Sequence, residues 1–388
     1  MRRSVFLAVV ALAMPLVSVQ AAETKIGPRG QVVVDGKPVV PLAVWVQPTY
    51  LFEYHRQLGM TCMVNAHVER GEFRLREPDI FRAAQANGLG LVTNYRDGAV
   101  AEPTVWAWTG QLMLPGRLER IRRTYADLTA KDPGRFVQSN IDAHLFLDGR
   151  EEDFYREALR HTDAVISHVW PEITGNDKPD LRNVAVFVDR VRALCKDRPG
   201  GEVSIWPDIN PHKWNLKRRA GGTEFPAPTR DELRFQIWLA LIHGADGLCV
   251  FPITFDPFVY AQIPAQNEQE LARNTRLIQR MAPALTAEES PLEIRVTSDR
   301  PDGILDVTTR RLDGTHYVFL VNGERREQTA TLRAPGLGTT LRLEDAIKDR
   351  PVAATEAAYQ ETLPGLALRI WRLVPAPEKA AADVPASR

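Results

Sequence analysis

The sequence predicts an α/β protein: a (β/α)8 TIM barrel followed by a small all-β antiparallel sandwich. Three observations carry this expectation. Eight short apolar runs alternate with amphipathic stretches through the larger, N-terminal part of the chain, the pattern of a closed parallel barrel. From about Ser290 the helical texture gives way to period-two alternation broken by turns. Five of the eight tryptophans, Trp45, Trp106, Trp108, Trp170 and Trp206, lie where an apolar run stops, and strand ends are where a parallel barrel gathers its site on one rim.

Residues 1–21 read as a signal peptide. Arg2 and Arg3 precede an apolar run from Val5 to Val17, and Val19-Gln20-Ala21 places small residues where a signal peptidase reads them. The run is short for a bilayer span, so the expectation is cleavage near Ala21, a periplasmic or secreted product, and no membrane association after cleavage. The arginine pair matches a twin-arginine signal only loosely, and no cysteine follows the run to carry a lipid anchor.

Residues 22–288 form the expected barrel. Its strand candidates are Val39 to Val46, Thr61 to Ala66, Gly90 to Asn94, Thr104 to Trp108, Phe136 to Ile141, Ala164 to Val169, Glu202 to Trp206 and Gly247 to Phe251. Helical stretches between them include Gly116 to Ala130 and Leu181 to Lys196. The last helix is announced by a capping box, Thr229-Arg-Asp-Glu232, with Leu233, Ile237 and Leu241 on one face. An open doubly wound sheet would carry a glycine-rich phosphate loop after its first strand, and Pro48-Thr49-Tyr50 is not one.

Residues 289–374 form the sandwich. Ile304 to Thr308, His316 to Val321, Gln328 to Leu332 and Leu366 to Trp371 alternate with period two, separated by turns such as Leu312-Asp313-Gly314 and Val321-Asn322-Gly323. Residues 375–388, rich in Ala, Pro and charge, read as a disordered tail.

With 49 basic and 49 acidic side chains and no basic block, a nucleic-acid partner is not expected. Cys62, Cys195 and Cys249 are too few for a disulfide framework and read as buried small hydrophobes; a bridge from Cys62 to Cys249 is a minor alternative. No Gly-x-Ser-x-Gly elbow supports a serine nucleophile, and no cofactor is implied. His67, His168 and His212 lie near strand ends without the close spacing of a zinc motif, so no metal is assigned. Flat aromatic rings stack on sugar faces, while Asn, His, Asp and Glu beside them bond hydroxyls. An oligosaccharide or polysaccharide partner follows, although core packing explains any single tryptophan equally well.

Val34-Asp35-Gly36-Lys37-Pro38 leading into Pro41-Leu42-Ala43-Val44-Trp45 resembles the opening of the secreted glycosidase-like (β/α)8 barrels related to the β-galactosidase and cellulase superfamily. Arg234 to Leu241 with His243-Gly244-Ala245-Asp246-Gly247 is similar to their last helix and strand, and Asn274 to Leu285 to the helix that follows. The terminal Tyr317-Val318-Phe319-Leu320-Val321-Asn322 and Leu368-Arg369-Ile370-Trp371 fit as well. The resemblance implies an acid at the end of strand four and a nucleophile at the end of strand seven. At strand four this chain carries Trp108-Thr109-Gly110-Gln111-Leu112-Met113-Leu114-Pro115, without a carboxylate.

Asp208, in Trp206-Pro207-Asp208, ends strand seven; Glu172 follows Trp170-Pro171 at strand six; Asp142 follows Asn140 at strand five. Asp208 with Glu172 is the expected catalytic pair, with Asp142 behind them. One would donate a proton to the leaving oxygen and the other would act as base or nucleophile. Capping a helix or pairing with a nearby cation is the alternative for each. The expected sugar-binding residues are Trp45, Asn65, His67, Asn94, Trp108, Gln111, Asn140, His168, Trp170, Trp206, Asn210, His212 and Trp214, with Trp170, Trp206 and Trp214 lining one cleft. Two functions follow: an exported glycoside hydrolase, or a barrel that binds glycans without hydrolysing them. A metal-assisted hydrolase or lyase is a third.

Overall fold

The computed structural model describes residues 22–65, 77–168, 180–215, 224–255, 258–355 and 358–376. Each of the eight apolar runs contributes a parallel strand. Strand one is Leu42–Trp45, two Cys62–Val64, three Gly90–Thr93, four Val105–Met113, five Phe136–Asp142, six Ala164–His168 and eight Leu248–Val250. Strand seven is broken at Pro207 into Ser204–Trp206 and Asp208–Ile209.

The break closes the barrel. Residues before Pro207 pair with strand six and those after it with strand eight, and strand eight returns to strand one. Proline has no N–H to give a ladder, so the bonding is rerouted locally. Asp208 N–H donates to Ser167 Oγ at 2.7 Å, and Cys249 N–H donates to Pro207 O at 3.0 Å.

Ala43, Cys62, Val64, Val92, Ala107, Phe136, Ala164, Ile166, Trp206 and Cys249 fill the interior, so the barrel is a packed core and not a pore. A three-stranded antiparallel meander, Thr24–Ile26, Val32–Val34 and Lys37–Val39, closes its base with Val32, Ile26, Val34 and Val39. The meander turns at Asp35-Gly36, both at positive φ (49° and 77°), as a two-residue hairpin of this hand requires. The three cysteines are free and buried. Cys62 and Cys249 are each paired across Ala43 of strand one, two strand spacings or about 9 to 10 Å apart, beyond disulfide reach.

Helices Phe52–Gln57, Glu77–Asn87, Leu118–Lys131, Ala143–Asp148 with Glu152–Ala158, Asn183–Cys195, Arg230–Ile242 and Ala265–Leu285 follow strands one, two, four, five, six, seven and eight. Strand three is followed only by the 3-10 turn Asp97–Ala99. Tyr95, Ala99 and Val100 of this connection cover the flank by packing on Trp108 and Val105. The capping box at Thr229 and Glu232 forms with both bonds in place.

The C-terminal sandwich has a six-stranded sheet (Glu288–Glu289, Leu305–Leu312, Thr315–Asn322, Leu368–Pro375, Leu341–Asp345, Arg350–Val352) over a three-stranded one (Arg295–Ser298, Gln328–Arg333, Ala358–Leu363). Along Thr315–Asn322 the alternation sorts the faces. Val318 and Leu320 enter the sandwich core, while Phe319 and Val321 join the barrel's helical layer, where Phe319 stacks on Trp238 at 6.2 Å. Pro375 and Ala376, assigned to the tail by composition, belong to the sheet: Ala376 N–H donates to Thr340 O at 2.8 Å.

A charged tie spans the same seam. Arg182 grips Asp306 with two bonds of 2.8 and 2.9 Å, and His243 lies between Asp189 (2.9 Å) and Asp306 (3.1 Å). Burial opposes a charge on His243, but bonds to the two aspartates outweigh it and raise its pKa from 6.5 to about 9. Burial opposes the Asp306 carboxylate too, yet Arg182 and His243 lower its pKa from 3.8 to about 2. The histidine's contribution to stability is therefore complete below pH 6.5 and lost as the pH rises through about 9. Moving from about pH 6 to about pH 10 is expected to destabilise the wild type by about 1 to 2 kcal/mol more than His243→Gln, the screened worth of such a shift. Chemical denaturation at both pH values checks this.

Candidate active site

Strand alternation decides what faces the mouth. On strand five Phe136 is interior and Val137 and Ile141 face the helices, so Gln138, Asn140 and Asp142 share the inner face. Ile166 does the same for His168, and Ala43 for Trp45. Above the apolar floor, the inner rim thus carries Trp45, Asn140, Asp142, His168, Asp208 and Phe251.

Asp208 is 3 % exposed. It is paired in register with Cys249 of strand eight, while Ser167 of strand six accepts its backbone N–H. Burial, and then the neighbouring Asp208 carboxylate, push the Cys249 thiol well above its ordinary pKa, so it stays protonated. Asp142 caps helix Ala143–Asp148: its Oδ1 accepts from His144 N–H (3.1 Å) and Leu145 N–H (3.3 Å). Its helix-capping alternative is therefore the role the structure displays. It also pairs in register with His168. Glu172 lies outside the described residues, as do His67, Trp170 and the side chain of Trp214.

The tryptophans part company here. Trp45 is only partly buried, edge-on to Phe251 (4.4 Å) and His168 (5.3 Å), and is available to a ligand. Trp206 is fully buried inside the barrel, edge-on to Phe136 at 6.1 Å, with Nε1 donating to Ser204 Oγ at 2.8 Å. Trp108 is fully buried on the opposite face, donating to Asp132 at 3.0 Å. Neither ring can stack on a sugar, so both are corrected from binding platforms to core.

The polar candidates divide likewise. Asn210 Oδ1 accepts His212 N–H at 3.0 Å, and the buried His212 ring lies between Lys213 O (2.6 Å) and Phe251 O (3.0 Å). Burial lowers its pKa although those carbonyls pull upward. Both residues shape the turn after strand seven. Asn65, buried at the end of strand two with φ 53°, accepts from the Thr109 hydroxyl at 2.9 Å. Asn140 Oδ1 accepts from Gln138 Nε2 at 3.0 Å. Asn94 is exposed. Gln111 is half-buried in strand four, where the register to strand five shifts between Thr109 and Leu112. A Cβ on Gly110 would lie 2.4 Å from Ser139 Oγ, which is why this irregular stretch needs glycine.

Sequence reasoning missed Phe251, although it ends the last apolar run, and Tyr50, 69 % exposed on the loop after strand one. It also missed Gln138, whose fully buried amide oxygen has no partner; nothing in local sequence marks such an atom. Among the described residues no group of three or more His, Cys, Asp or Glu is arranged to hold a metal.

No family model and no curated sequence matches the chain. Solved structures do. An Anoxybacillus α-amylase is 10 % identical over 85 % of this chain and 90 % of its own, with TM-score 0.52. A GH27 β-L-arabinopyranosidase from Geobacillus stearothermophilus is 11 % identical over 88 % and 97 %, with TM-score 0.53. AmyP in complex with maltose is 10 % identical over 86 % and 97 %, with TM-score 0.55. At these identities the likeness is one of fold. The chain has the (β/α)8-barrel fold that these glycosidases share, carried ahead of a C-terminal β-sandwich.

Proposed function

We propose that the protein is an exported glycoside hydrolase acting on an oligosaccharide or polysaccharide at the C-terminal rim of the barrel. The observation that carries this reading is the setting of Asp208, a residue on the inner rim at strand seven whose backbone is fixed by Ser167 of strand six and by register pairing with Cys249 of strand eight. Trp45, partly exposed and backed by the buried ring of Phe251, supplies the apolar surface that a sugar face requires beside a reacting carboxylate. Asp208 acts as base or nucleophile and Glu172 as proton donor. A separation of about 5 Å between the two carboxyl groups would imply retention, and about 6.5 to 9.5 Å inversion through a water. Maltose bound by AmyP supports a carbohydrate ligand for a barrel of this fold. The expected leader over residues 1–21 would put the reaction outside the cytoplasm.

One observation favours the second reading, a barrel that binds glycans without cleaving them. Strand four presents Gly110 and Gln111 where an acid is expected, and an amide can bond a glycosidic oxygen but not protonate it. Purified protein assayed against a panel of aryl glycosides and polysaccharides, for both turnover and affinity, separates the two. Turnover supports hydrolysis and sinks the binding-only reading. Saturable affinity without turnover supports binding, and Gln111→Ala is then expected to weaken it by about 0.5 to 1.5 kcal/mol, one hydrogen bond's worth.

A further inference from the structure

We infer that His55 and Gln47 are positioning residues that hold the ring of Trp45 at the barrel mouth by locking a strained turn; this rests on the glycan reading above. Strand one ends at Trp45, and the next residue, Val46, has φ 47°. A β-branched residue in the left-handed region is a true outlier, sustained only where its surroundings over-determine it.

Those surroundings are visible. Val46 is buried and its N–H donates to Val64 O of strand two at 2.8 Å. Gln47 Nε2 donates to Trp45 O (3.1 Å) and to Val46 O (3.0 Å), the two carbonyls that define the turn. Because both partners are acceptors, the amide nitrogen must face them, and the amide oxygen must face His55. His55 Nε2 lies 3.0 Å from that oxygen, so it carries the proton and donates. Nδ1 is then a bare lone pair, and it has no partner. Burial keeps the ring neutral, with its pKa down from 6.5 to about 3, so the lock is insensitive to pH over the ordinary working range.

A fold-only role does not call for this arrangement. Gln47 and His55 are 0 % and 1 % exposed, and two apolar side chains would fill the space without desolvating an amide and an imidazole. What the lock accomplishes is directional: it sends the chain away at Val46 and leaves Trp45 against Phe251 and His168, with its buried Nε1 lacking any acceptor. The neighbouring strand repeats the device. Asn65 also has a left-handed φ and is tied by its side chain to Thr109.

The experiment pairs affinity with Trp45 fluorescence. Affinities for maltotriose, cellotriose, xylotriose and arabinotriose are measured for wild type, His55→Ala, His55→Gln, Val46→Gly and Trp45→Ala, and for His55→Ala combined with Trp45→Ala. Acrylamide quenching of Trp45 is taken as the difference between each protein and its Trp45→Phe counterpart. His55→Ala is expected to weaken the tightest trisaccharide about tenfold, and to do nothing when Trp45 is already alanine, because coupled residues are non-additive. His55→Gln, which can present an N–H to Gln47, recovers part of the loss. His55→Ala raises quenching of Trp45, whereas Val46→Gly, which takes up the positive φ without strain, leaves it near the wild-type value. An equal loss from His55→Ala in both backgrounds, or quenching unchanged by His55→Ala, overturns the inference. If no trisaccharide binds the wild type, the glycan reading fails and the quenching difference alone decides whether His55 positions Trp45.

Discussion

Replacing Asp208 by asparagine is expected to lower turnover at least about a hundredfold while leaving glycan affinity within about twofold, since the change removes proton and charge chemistry but keeps the shape. The environment favours so clean an outcome. Ser167 bonds the backbone N–H of residue 208 and not its side chain, so the strand-seven junction is indifferent to the substitution. Cys249, paired with residue 208 through the strand register, stays a neutral thiol beside either side chain. Affinity by calorimetry and turnover on the best substrate of the panel are the two measurements. Near wild-type turnover would remove Asp208 from the mechanism.

Trp206→Ala is expected to destabilise the protein by about 3 to 5 kcal/mol, the range for deleting a large aromatic from a packed core. The ring fills the barrel interior against Phe136, and its Nε1 is satisfied by Ser204; its loss leaves a cavity between strands five and seven and an unpartnered hydroxyl. Denaturant unfolding measures the loss, and glycan affinity of the protein that remains folded should be unchanged. The opposite result, lost affinity with intact stability, would return Trp206 to the cleft.

The strands were legible because their apolar runs are short, evenly spaced and bounded by turn residues, and all eight lie where those runs are. The direction of a strand-end tryptophan was not. At strand four the register to strand three shifts, Leu91 facing Val105 but Val92 facing Ala107. The extra residue, Trp106, resets the alternation, so Trp108 points to the helices and not into the mouth. Such a bulge is decided by pairing between strands, which a single run does not encode. The absence of a helix after strand three was hidden for a related reason, since Tyr95, Ala99 and Val100 satisfy the flank from a loop. Asp142 was ambiguous because one residue type serves both capping and catalysis, and the two amide protons it accepts are visible only in three dimensions. Among the candidate residues, His168 and Asn140 could be placed on the inner rim by period-two counting along unbroken strands. The lock behind Trp45 could not, since nothing about valine announces a left-handed turn.

Strand seven is also the seam of the molecule. Its first half belongs to the sheet that grows from strand one to strand six, and its second half enters a strand ladder only when the chain has run on to strand eight. Asp208 sits immediately past the joint, with one neighbour on each side of it. A chain that has built every helix but not yet zipped this last edge has secondary structure without a site. Gapping at the edge would cost little helix content but would release the carboxylate from strand eight, because local openings free up small cooperative units well below global unfolding. If the hydrolase reading holds, turnover would be the most sensitive gauge of whether the ring is shut.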